Sequence, residues 1–238
     1  MLFVRLLIAH CTGDFFLQPG SWVQAREEKG WRATALYLHL GIHIVLLWLL
    51  SGQWAFGYWA LALGVVHGGI DMGKTALRKR LPASTLFLLD QALHLLSLWI
   101  AARWYAHEMV FVPGWITPAV TIWIAALLLL TLPASVAIRT GIARWTPQIR
   151  DRASLLHAGQ WIGILERLLI FVFIMIGQWQ GVGFLFAAKS IFRFGDLKDA
   201  HDRQLTEYVM LGTLLSFFWA IATALLTRWA LQSYQPGN

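Results

Sequence analysis

His10 and Asp14 stand four residues apart in the opening run MLFVRLLIAHCTGDFFLQP, with Gln18 four further on. On a helix, that spacing stacks the side chains on one face. Three later stretches repeat the arrangement. LHLGIH carries His39 and His43, HGGIDMGK carries His67, Asp71 and Lys74, and LDQALH carries Asp90, Gln91 and His94. Imidazole with carboxylate is the donor set of Zn²⁺, and it also suits Mn²⁺ or non-haem iron. One helix gives two ligands to the same ion at i and i+4, and facing helices of a bundle supply the rest. His10, Asp14, His39, His43, His67, Asp71, Asp90 and His94 are the candidate ligands, more than one tetrahedral ion takes. Either two divalent ions bind, or some aspartates orient the histidines from outside the coordination shell. Asp71 or Asp90, left unligated, would then be available as a general base, with Glu166 a third candidate carboxylate. Cys11 adjoins His10 but points about 100° away around a helix, so it is left out.

The elements that carry these residues are apolar. Of 238 residues, 58% are hydrophobic and 13% charged, and the mean hydropathy is +0.60. A soluble domain holds about 25% charged residues, so the expected class is all-α: a polytopic transmembrane bundle. Runs near 2–18, 33–51, 54–72, 85–107, 116–138, 161–177, 181–193 and 207–229 read as eight spans, the first and seventh short. Spans 1–4 (1–107) carry the His/Asp pairs. Residues 108–160 hold the fifth span and an amphipathic connector, and 161–238 complete the bundle. The N-terminus lacks the basic flank and small-residue cleavage site of a signal peptide. A lone cysteine excludes an intrachain disulfide. The net charge of +7 concerns topology here and gives no reason to expect a nucleic-acid partner.

Basic residues alternate from loop to loop. Arg26, Lys29 and Arg32 lie in 19–32, and Lys74, Arg78, Lys79 and Arg80 in 73–84. Arg139, Arg144, Arg150 and Arg152 lie in 139–160, and Arg193, Lys198 and Arg203 in 193–206. Segments 52–53, 108–115 and 178–180 hold none. The positive-inside rule therefore puts the first four loops in the cytoplasm and both termini outside. In that orientation the His/Asp pairs share one level, within roughly 15 Å of the cytoplasmic boundary. Five of the eight histidines and three aspartates meet there, and ionisable residues inside spans are rare and usually functional. Gln18, Lys74, Gln91, Arg167, Lys189 and Arg193 are the candidate contacts for an anionic group, such as a phospholipid head, near the metal.

As a set, HCTGDFFLQP, LHLGIH, HGGIDMGK and FLLDQALHLL resemble a bacterial membrane family, domain-of-unknown-function family 3307. GILERLLI, AAKSIFRFGDLKD and EYVMLGTLLS resemble the C-terminal portion of its longer members. The resemblance implies the helical fold, the polar cluster and a place in the bacterial inner membrane, and it carries no reaction. The HxxxD and HxxxH steps are also similar, more loosely, to membrane-bound metal-dependent hydrolases and to seven-helix ceramidase-like zinc hydrolases. Three functions follow as expectations: hydrolysis of a lipid or lipid-linked substrate at the inner leaflet, passage of a metal ion or proton, and a structural or regulatory protein with a structural metal. The outer halves of spans 1–4 offer few polar groups for a conduit, which favours the first.

Overall fold

The computed structural model describes residues 1–105, 116–145, 158–194 and 200–234, with the side chains of 192–194 and 200–205 left aside. The described residues are helical, without a strand. Helix α1 (Leu2–Cys11) continues into a π-helical turn, Thr12–Phe16. It is followed by α2 (Gly20–Lys29), α3 (Thr34–Ser51), α4 (Gly57–Leu77) and α5 (Ala83–Trp104). Then come α6 (Pro118–Leu129), α7 (Leu132–Gly141), α8 (Ala158–Met175), α9 (Trp179–Phe194) and α10 (Ala200–Ser233). Among the described residues, five stretches are long and apolar enough to cross a membrane: α3, α5, α6 with α7, α8, and most of α10. The chain divides into two compact units, Met1–Leu128 and Leu129–Asn238.

In the first unit α1 packs on α3 and α5, and α4 packs on the same two, closing a four-helix ring. The ring is inside-out for a soluble protein. Leu38, Val45 and Leu49 on α3, Val65 on α4, and Leu88 and Trp99 on α5 face outward, while histidines and aspartates are buried. Lipid rewards that arrangement, because apolar side chains lose nothing by facing acyl chains. Along the ring the interior has two layers. Leu6, Ala9, Leu47, Phe56, Ala60, Leu63, Leu98 and Ala101 form a continuous apolar core. His10, His39, His43, His67 and His94 lie on the other side of it along each helix, because successive helices run antiparallel.

Two expectations change. Residues 19–32, expected as a loop, contain α2. Its sequence, GSWVQAREEK, holds strong helix formers, and Gln24 Nε2 donates to Glu28 Oε1 at 2.9 Å, one turn on. Gly30 ends the helix at φ +55°, a conformation open to glycine. The expected span 116–138 is broken at Leu130 and Thr131 into α6 and α7. In the second unit Arg167 of α8 closes the break. Its Nε donates to the Leu130 carbonyl at 2.6 Å, and an Nη to the Thr131 carbonyl at 3.1 Å. Freed carbonyls inside a span need such a partner. Of the expected connector, α7 runs to Gly141 and a 3₁₀ turn covers 143–145; residues 146–157 and the outer segment 108–115 lie outside the described residues.

Candidate metal centre

His10 sits in the last turn of α1, and Asp14 in the π-helical turn after it. The turn is closed by the Leu17 N–H donating to the Thr12 carbonyl at 3.0 Å, five residues back. Single π turns are rare and concentrate at functional sites, because the extra residue re-aims a side chain. Here it aims the Asp14 carboxylate into the ring. Gly13 allows the approach: a Cβ there would lie 2.3 Å from His43 Nε2. Gln18, expected on the same helical face, falls beyond the π turn and is half-buried in the link to α2. The sequence alone shows the i+4 spacing but not where the helix gives out.

Asp14 is the hub. Its Oδ1 lies 2.9 Å from His43 Nε2, 3.3 Å from His39 Nε2 and 3.5 Å from His67 Nε2; its Oδ2 lies 3.7 Å from His10 Nε2. Asp14 Oδ1 and His43 Nε2 are buried without a hydrogen-bond partner, close together but not aligned to bond. Two donors each 2.0–2.1 Å from a tetrahedral Zn²⁺ stand about 3.3 Å apart. Ligand atoms at such separations are what a common point of coordination produces, although His39 Nε2 and His67 Nε2, 3.1 Å apart, are hydrogen-bonded to each other here. His10, Asp14, His43 and His67 each offer one ligand atom, and all four atoms lie within 4.8 Å of one another. The donor set therefore fits a divalent ion. His39, His67 and Asp71 form a second such group, and Asp71, Asp90 and His94 a third. The first and third share no residue, so two ions is the most these groups allow without sharing a ligand.

Charge separates the groups. Asp71 is ion-paired to Arg26 and Asp90 to Lys74, whose Nζ donates to Asp90 Oδ2 at 2.7 Å. Both pairs are built around buried carboxylates, and both cations would oppose a divalent ion in the third group. Asp14 has no Lys or Arg partner among the described residues, and its balance is left to histidines. The first group is thus the better metal site. His94 is held by its backbone: Nδ1 donates to the Asp90 carbonyl at 2.9 Å, leaving the lone pair on Nε2, which is buried and unpartnered. Gln91 donates to Asp90 Oδ2 at 3.1 Å and lies 3.4 Å from His10 Nε2. It joins the His/Asp network directly.

All eight expected ligands thus converge, with His10, His39, His43, His67, Asp71, Asp90 and His94 each at most 5% exposed. Arg26 was not expected. Nothing in QAREEK distinguishes it from Lys29 or Arg32 as a topology residue. The available signal was arithmetic: three buried aspartates need cations, and Lys74 alone is too few. Glu166, Arg167 and Lys189 lie in the second unit. Glu166 accepts an ion pair from Lys189, and Arg167 bonds carbonyls and hydroxyls. The Arg193 side chain lies outside the described residues.

The model of the family described as "Protein of unknown function (DUF3307)" matches residues 2–139, more than half of the chain. The chain belongs to the DUF3307 family. The match spans the whole His/Asp ring and ends in α7, so the DUF3307 portion contains every candidate ligand. No curated protein and no solved structure matches the chain.

Proposed function

We propose that this DUF3307 protein holds a divalent metal, zinc before manganese or iron, between His10, Asp14, His43 and His67, and hydrolyses a lipid or lipid-linked substrate with it. The supporting observation is the centre's one-sided access. Beyond the histidines the described interior is mainly apolar: Leu6, Phe56 and Ala60 are wholly buried, and the buried polar groups on that side are few, Arg5, Ser51 and Gln53. On the other side the Asp14 side chain is 12% exposed, and that of Lys74 is 32% exposed. A hydrolase needs one opening, whereas a transporter must open to both sides in turn. The exposed Phe16 and Leu17 beside Asp14 make that opening apolar, as an acyl chain requires.

A divalent ion there would supply Lewis acidity toward water and toward an acyl or phosphoryl oxygen. The chain's own residues do the rest. Lys74 stands at the entrance, where its ammonium pairs with an anionic head as well as with Asp90. Asp90 is bonded to Lys74 and Gln91 through Oδ2 and keeps Oδ1 without a hydrogen-bond partner, so that oxygen is the one available to take a proton from water. The distribution of basic residues over the loops supports an orientation with this side toward the cytoplasm and both termini outside. Proteoliposome assays test the proposal. Metal-dependent release of a lipid headgroup, abolished by Asp90→Asn with metal content unchanged, is the expected result. Metal flux that depends on His43, with no lipid turned over, would replace hydrolysis by transport.

A further inference from the structure

The second unit contains a cavity of about 960 Å³ between α7, α8, α9 and α10, at the upper end of the size of small-molecule sites. Three observations characterise it. Its walls are mainly apolar, with Ile138, Ile162 and Leu185 among them. Its charges do not balance. Arg167 is 2% exposed and bonds only neutral groups: the Leu130 and Thr131 carbonyls, and the Ser135 and Ser216 hydroxyls at 2.7 and 3.2 Å. Glu166, the one carboxylate in the lining among the described residues, makes its ion pair with Lys189; it acts on Arg167 only through space, so one anion faces the three cations Arg139, Arg167 and Lys189. Buried charge that is not fully balanced is costly in a membrane. The third observation concerns space. Gly159 lines the cavity one turn before Gly163, and a Cβ built on Gly159 meets nothing within 4 Å. That glycine is not required by helix packing; it leaves room.

We infer that this cavity binds an anionic lipid, with a phosphate-bearing head drawn to the net positive charge of the lining at Arg167 and Arg139 and its chain along the apolar wall. Phosphate suits guanidinium, the more weakly hydrated cation; Arg139 offers paired donors, and Arg167, four of whose five N–H groups are already bonded, adds charge and one N–H. An apolar wall of this size selects a chain-bearing ligand over free phosphate. The cavity opens at Arg139, Gly159 and Ile162, all exposed, and α8 and most of α10 are apolar enough to cross a membrane. A lipid can therefore enter from the bilayer. The site lies wholly within the second unit and does not depend on the metal reading.

The test uses the full chain in nanodiscs of phosphatidylcholine doped with phosphatidylglycerol or phosphatidic acid, followed by native mass spectrometry of retained lipid. The wild type is expected to retain one anionic lipid per chain, above its share of the bilayer. Gly159→Leu, whose Cβ meets nothing within 4 Å and whose side chain takes up room in the cavity, is expected to abolish retention at unchanged melting temperature. Arg139→Gln is expected to lower it by about fivefold, the worth of one basic residue against an anionic head. If Gly159→Leu does not fold, the Arg139→Gln comparison decides. Retention that follows bilayer composition, or that is indifferent to the variants that fold, overturns the inference. So does displacement by millimolar inorganic phosphate, which would identify a free anion as the occupant.

Discussion

Replacing Asp14 by asparagine gives different effects according to whether the centre holds a metal. The substitution keeps size and shape but removes the only carboxylate of the cluster that lacks a Lys or Arg partner among the described residues. With no metal, the change removes a desolvation cost and the contacts of that carboxylate with four histidines together; the two offset, and chelator should leave the melting curves of both proteins unchanged. With a metal, the same change removes an anionic ligand. Altering groups that merely support ligands costs 10–100-fold in affinity, so about 100-fold is a floor for a ligand itself. At saturating metal that corresponds to about 2.7 kcal/mol of stability, a large part of a margin of about 5–15 kcal/mol. The assay is metal content by mass spectrometry of the detergent-purified protein, with melting curves before and after chelation. Wild type should carry one or two equivalents of metal and melt lower after chelation, close to the variant; the variant should be insensitive to chelator. An Asp14→Asn protein that is more stable than wild type, or that keeps wild-type metal, would refute the coordination argument.

Other perturbations probe the supports. Arg26→Met leaves Asp71 buried without its cation, and removing one partner of a buried pair costs about 3–5 kcal/mol; adding Asp71→Asn should restore most of it in thermal melts. Gly13→Ala places a methyl on the His43 ring and should destabilise the protein by about 1–3 kcal/mol while lowering metal content, whereas Gly41→Ala, which meets nothing within 4 Å, should do neither. Cysteines introduced in 73–84 should react with impermeant reagents only from the cytoplasmic side, and those in 108–115 only from outside; the reverse pattern would invert the orientation of the centre.

Periodicity and polarity were enough to expect the helices and the ligand list. A histidine or carboxylate in an apolar run must turn inward to escape lipid, and i,i+4 spacing sets the shared face, so four antiparallel helices had to bring His10, His43, His67 and His94 to one level. What depends on chain irregularity or on distant partners was not legible. The π turn that re-aims Asp14 and drops Gln18 from the face packs on His43 where Gly13 leaves room, a contact between that turn and α3. The break after α6 has a local signal in Pro133 of ALLLLTLP, at the start of α7, but what sustains it has none: Arg167, 37 residues from Leu130, supplies the donors that water would supply elsewhere. Arg26 looked like a topology residue because loop charge is read by count. Only the packing of α2 beside α3 shows that its guanidinium turns back into the ring to neutralise Asp71. The sequence by itself thus determined which groups must avoid lipid and at what depth. The tertiary structure decided how charge is shared among them, since pairing depends on which side chains meet across helices, and that is what singles out Asp14 as the carboxylate left for a metal.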